Sequence, residues 1–142
     1  MLSENVKITT ALDYASGTAV RNGAALDMQG WDGVLMVVKL ATIAAGGTNS
    51  IKAQQGAASN LSDAADLLGT GQDIADDDDD EVYYIDVYQP RERYVRLVFT
   101  KDTSNACAES ALYIQYKGKD LPATQPSGVT GETHVSPAEG TA

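Results

Sequence analysis

The sequence predicts an all-β protein: an antiparallel β-sandwich with at most one short helix. Three observations lead there. In Tyr94 to Thr100, Val95, Leu97 and Phe99 point one way while Tyr94, Arg96 and Val98 point the other, the two-residue period of a strand. The run Val34 to Ile43 is rich in β-branched residues and bounded by Asp32-Gly33 and Gly46-Gly47, which suits a long strand better than a helix. Other short apolar runs recur along the chain, separated by Gly, Pro, Asn and Asp, the pattern of a sandwich or barrel. At 142 residues one core is expected.

Taken in order, Val6 and Ile8 alternate with polar neighbours, and Asp13 to Gly17 and Arg21 to Gly23 read as turns. Val34 to Ile43 is the expected central strand, and Ile51 to Gln55 follows a Gly-Gly-Thr-Asn-Ser turn that would return it antiparallel to that strand. Leu61, Ala64, Ala65, Leu67 and Leu68 suit one or two helical turns, with Ser62 as N-cap and Gly69 as stop. Gln72 to Ala75 is a further short strand. Val82 to Tyr88, Tyr94 to Thr100 and Ala111 to Lys117 are the clearest strands. Residues 1–119 form the sandwich domain. Residues 120–142 form an extended Pro/Gly/Ser-rich tail with only Leu121, Val129 and Val135 to bury, and a partner that clamps it is the expected source of order.

The net charge of −10 lies wholly between Lys52 and Arg91, where ten acidic residues face no Lys or Arg. Such a pole disfavours nucleic acid and anionic membrane and favours solubility or docking on a basic protein. No apolar run is long enough to span a bilayer, and Met1 to Thr10 show no secretory signal. The expected site of synthesis is the cytoplasm. Cys107, the only cysteine, reads as a buried thiol and excludes an internal disulfide.

Catalytic and cofactor signals are weak. The single histidine, His134, lies in the tail, so nucleophilic triads would draw on that segment. No phosphate loop or zinc set is present. A hydrolase using Asp86 with Glu81 has no spacing to distinguish it from surface charge. No enzyme activity and no cofactor are expected. The run Asp76, Asp77, Asp78, Asp79, Asp80, Glu81 has three readings: a solvated loop, a dock for basic residues of a partner, or a calcium loop, the last lacking alternate spacing and a turn glycine. Arg91, Arg93 and Arg96 form the only basic cluster, expected to bridge Glu92, the aspartates or another subunit. Trp31 and the tyrosines read as packing rather than as a sugar-stacking platform. Leu35, Val37, Ala41 and Ile43 make the second face of the central strand apolar too, so a second layer or a second copy of the chain is expected over it.

The segments Ile8 to Tyr14, Gly30 to Val38, Ile51 to Gly56, and Asp76 to Asp80 leading into Tyr83 to Asp86 and Pro90 to Val98 resemble the head decoration, or cementing, proteins of tailed phages, including a Bordetella phage. The resemblance covers roughly residues 5–117. It implies a jelly-roll-like sandwich on the outer surface of an HK97-type head, as a homodimer, clamping neighbouring copies of the major capsid protein. It implies no catalytic residues. On this reading Asp76 to Glu81, Arg91 and Arg93 provide polar docking, and the tail with Leu121, Val129 and Val135 reaches a neighbour. The alternative is a carbohydrate-binding or adhesion sandwich that uses Trp31 and the exposed tyrosines.

Overall fold

The structure, a computed structural model, describes residues 1–136 and 138–141. Ten strands follow a single helical turn, α1 (Leu2–Asn5): β1 (Val6–Gly17), β2 (Arg21–Asn22), β3 (Leu26–Asp27), β4 (Trp31–Ile43), β5 (Asn49–Gly56), β6 (Ala65–Asp66), β7 (Gln72–Ile74), β8 (Val82–Tyr88), β9 (Tyr94–Thr100) and β10 (Cys107–Gly118). All pairings are antiparallel. One sheet has the order β1-β10-β4-β8. In the other, β2 and β3 both pair with β9, and β6 and β7 both pair with β5, so each short pair is one interrupted edge strand. Counted this way there are eight strands in two sheets of four, and the chain changes sheet at every connection but the one from β5 to β6, which stays within its sheet. That is the jelly roll.

The alternation seen in the sequence sets the core. Val34, Met36, Val38 and Leu40 of β4 have no exposure and face Ile51, Ala53, Val95, Leu97 and Phe99 of the other sheet. Tyr113 of β10 crosses this interior, and its hydroxyl accepts from the Leu97 amide at 2.8 Å and donates to the Ala24 carbonyl at 3.0 Å. A Cβ at position 23 would overlap that hydroxyl, so the edge between β2 and β3 approaches the phenol only through glycine. Cys107 is fully buried as expected, and burial pushes its thiol pKa up.

Four local expectations are overturned. Ser59 to Leu68 is not helical: Asp63 accepts from the Ala57 and Ala58 amides, and Asn60 accepts from that of Ser62. Short polar side chains thus hold the backbone in turns that compete with a helix. Leu61 adopts a positive φ and is buried, while Ala65–Asp66 pairs with β5. Among the described residues the only helix is α1, too short to carry a periodic signal. The segments 13–17 and 21–23 are not turns either, because β1 continues to Gly17 through two register shifts and Arg21–Asn22 is a strand. Finally, β5 pairs with β9 and not with β4, since the turn after β4 carries the chain across to the opposite sheet. Among the described residues no helix is long and apolar enough to cross a membrane.

Candidate functional site

The acidic run is built into the end of the sandwich where β4 finishes. Asp76 accepts from the Gly46 amide at 2.6 Å, Asp79 from the Ile43 amide at 2.7 Å, and Asp78 from the Ala75 amide at 2.8 Å and from the Tyr83 hydroxyl. Lys39 donates to the Asp80 carbonyl. Three of the five aspartates therefore satisfy backbone amides that the strand ends leave open. The Tyr83 phenol, hydrogen-bonded to Asp78, has its pKa pushed up to about 12. Asp77, Asp79, Asp80 and Glu81 remain exposed and form an anionic ridge. Among the described residues no cluster of three metal-ligating side chains occurs.

Arg91 and Arg93 lie at the opposite end, separated from this ridge by the length of β8. Arg93 does not bridge Glu92 or the aspartates: it pairs with Asp27 through two hydrogen bonds of 2.9 and 2.7 Å, which hold the Asp27 carboxyl below its ordinary pKa. Arg96 donates to Gln54. The Arg91 side chain is exposed, and with Trp31, Asp32, Glu92 and Lys119 it lines a cleft of about 480 Å³. Trp31 itself packs against the core and over Gly118.

The tail is seated on its own chain. The Gln125 carboxamide accepts from the Ile8 amide at 2.9 Å and donates to the Val6 carbonyl at 2.7 Å and the Ser3 carbonyl at 3.2 Å. Ala123 donates to the Glu4 carbonyl, and Ser3 meets Thr133 at 2.8 Å. One side chain thus stands in for a neighbouring strand along the free edge of β1. The open edge supplies polar partners to this low-apolar segment from within its own chain. Leu121 and Val135 are nonetheless exposed, and Val129 is half-buried. Pro137 and Ala142 lie outside the described residues.

The outer face of the β1-β10-β4-β8 sheet carries a group of exposed apolar side chains. Strand register places Thr10, Leu112, Val37 and Tyr84 in one row across it, and Ile8, Ile114, Leu35 and Asp86 in the next. Tyr84 is 62% exposed, Val82 58%, Tyr88 51% and Leu112 43%, with Leu35, Val37 and Ala41 of β4 half-buried between them; Ile43 does not join this face but enters the core beside the β4–β10 register shift. At one end Tyr88 and Tyr116 stack above Gly33, with centroids 6.5 Å apart and rings within 7° of parallel. A Cβ at position 33 would overlap the Tyr116 ring. The Tyr116 hydroxyl donates to Asp86 at 2.7 Å; burial, then this bond, pushes its pKa up to about 12.

Sequence reasoning missed a second polar group, inside the sandwich. Glu109 is fully buried and meets Lys101 at 2.5 Å and Arg21 at 2.6 Å, and Lys101 also donates to the Cys107 carbonyl at 2.7 Å. The signal was present. Lys101 continues the inward phase of Val95, Leu97 and Phe99, and Glu109 shares that of Ala111 and Tyr113.

No protein-family model and no curated protein matches the sequence. Among solved structures, the PBSX exported protein XepA is similar in fold, with a TM-score of 0.54 at 13% identity, covering 95% of this chain and 44% of that one. The chain thus spans less than half the length of this neighbour. The likeness is one of fold, and it points to no Bordetella cementing protein in particular.

Proposed function

We propose that this chain is a structural virion protein that decorates the outside of a tailed-phage head, without catalytic turnover. The observation that carries the reading is the uncovered apolar sheet face on a jelly roll, which calls for another protein surface. The fold likeness to an exported protein of phage PBSX supports a phage setting.

In this reading the apolar face takes a second copy. Lys39 and Asp86 flank the row of Leu112, Val37 and Tyr84 on either side. A two-fold axis lying in the face and crossing the strands brings Lys39 of one copy within a strand's width of Asp86 of the other. The exposed carboxylates of Asp77, Asp79, Asp80 and Glu81 then face outward, fit to dock on basic residues of the major capsid protein. Repetition over many copies would make modest contacts sufficient. The test adds purified protein to heads assembled without it and measures occupancy and sedimentation. Wild type is expected as a dimer that saturates the head surface, and Leu112→Asp as a folded monomer that binds poorly. A wild-type monomer that leaves heads bare refutes the reading.

The cleft beside Trp31 supports a second reading, a glycan-binding module, since it places an indole next to Arg91, Asp32 and Lys119. Glycan binding by the isolated chain that is lost in Arg91→Ala would favour it.

A further inference from the structure

We propose that Lys101 and Asn49 form an intramolecular isopeptide bond, with Glu109 as the residue that moves the proton. Three buried side chains of matching chemistry lie in one part of the sandwich: Lys101 meets Glu109, and Asn49 stands on the neighbouring strand in register with Lys101. Lys101 is 4% exposed, Glu109 is fully buried, and Asn49 is 1% exposed with neither atom of its carboxamide hydrogen-bonded. A buried carboxamide without partners is costly.

Register brings nucleophile and electrophile together. Ser50 of β5 pairs with Thr100, the last residue of β9, so Asn49 and Lys101, one residue past that strand, continue the same register. Both sit in the inward phase, continuing Ile51 opposite Phe99 and Ala53 opposite Leu97, residues with no exposure. Directly opposed residues carry their Cβ atoms about 5 Å apart, within the span of a Lys–Asn amide link. Glu109 reaches the pair from β10 in the facing sheet, with Oε2 at 2.5 Å from Lys101 Nζ. Arg21 holds the other carboxylate oxygen at 2.6 Å and fixes the orientation of Glu109.

The reaction balances without an oxidant or cofactor. Glu109 takes a proton from the Lys101 ammonium, and the freed Nζ lone pair forms a bond to Asn49 Cγ as the C=O π pair moves onto Oδ1. The C=O re-forms, the Cγ–Nδ2 bond breaks, and Nδ2 leaves as ammonia with a proton relayed from Nζ by Glu109. The products are a secondary amide between β5 and β9 and one ammonium ion. Exclusion of water protects the neutral amine and the acid from competing hydration.

The experiment is the intact mass of the folded, full-length protein after denaturation, followed by proteolysis and peptide sequencing. The expected mass is lower than that of the sequence by one ammonia, and digestion yields a branched peptide joining the segments that contain Asn49 and Lys101. Asn49→Ala and Lys101→Arg restore the full mass, while Asn49→Asp loses one water instead. A succinimide at Asn22-Gly23 would also release ammonia, but it gives no branched peptide and persists in Lys101→Arg. Wild-type protein of full mass with linear peptides over positions 49 and 101 overturns the proposal.

Discussion

Replacing Tyr113 by Phe removes one oxygen from the centre of the sandwich and leaves two backbone groups, the Leu97 amide and the Ala24 carbonyl, without a partner. The phenol is buried, so no water takes its place. Stranding buried polar groups costs about 1–3 kcal/mol at neutral pH. With an unfolding entropy of roughly 0.3 kcal/mol per kelvin for a chain of this length, that corresponds to a drop in Tm of about 3–10 °C. The same residue gives a signature in alkali. Burial pushes the Tyr113 pKa up to about 12, whereas in the unfolded chain a tyrosine ionises near 10. Above pH 10 the unfolded state releases a proton that the folded state retains, so the stability of the wild type falls as pH rises toward 12. By pH 11 this loss amounts to about 1.4 kcal/mol, and Tyr113→Phe lacks it. Urea unfolding at pH 7 and at points up to pH 11 measures both effects. The gap between the two proteins should be largest at pH 7 and narrow steadily in alkali. Equal stability at pH 7, or a gap that does not change with pH, would refute the buried, doubly bonded phenol.

Two further predictions concern the surface. Gly33→Ala forces the Tyr116 ring off β4, breaking its stack on Tyr88 and its bond to Asp86; a spectroscopic titration should then show a tyrosine that ionises near 12 in the wild type returning toward 10. Gln125→Ala removes three hydrogen bonds from the β1 edge, each contributing about 0.5–1.5 kcal/mol, and should speed hydrogen exchange at the Ile8 amide with little change at Ile51 in the core.

The sandwich was legible because period-two patterning survives in β4, β8, β9 and β10, where most inward residues are apolar, Glu109 and Gln115 of β10 being the exceptions, and packing decides the phase. Pairing was less so. Whether β5 returns beside β4 or crosses to the other sheet depends on the direction of one turn, which Gly46-Gly47 permits either way. The helical spacing at Ser59 to Leu68 loses to turn chemistry, since Asp63 accepts from the Ala57 amide and Asn60 from that of Ser62, folding the chain into turns. The acidic run was visible as charge but not as structure: its carboxylates cap strand ends whose location only the fold supplies. Arg93 found Asp27 because β3 and β9 are neighbours, a pairing hidden in a two-residue strand. Lys101 and Glu109 are hard to read as buried, since charged residues in strands ordinarily face water and only their phase marks them as inward.

The carboxamide of Gln125 closes a sheet margin that would otherwise accept another extended chain. Proteolysis just after Lys119 would strip that cover from Val6 and Ile8 and leave their amide and carbonyl groups open to strand addition by a second molecule. With the cover that Ala123 and Gln125 provide removed, nicked material should be the first fraction to aggregate on storage.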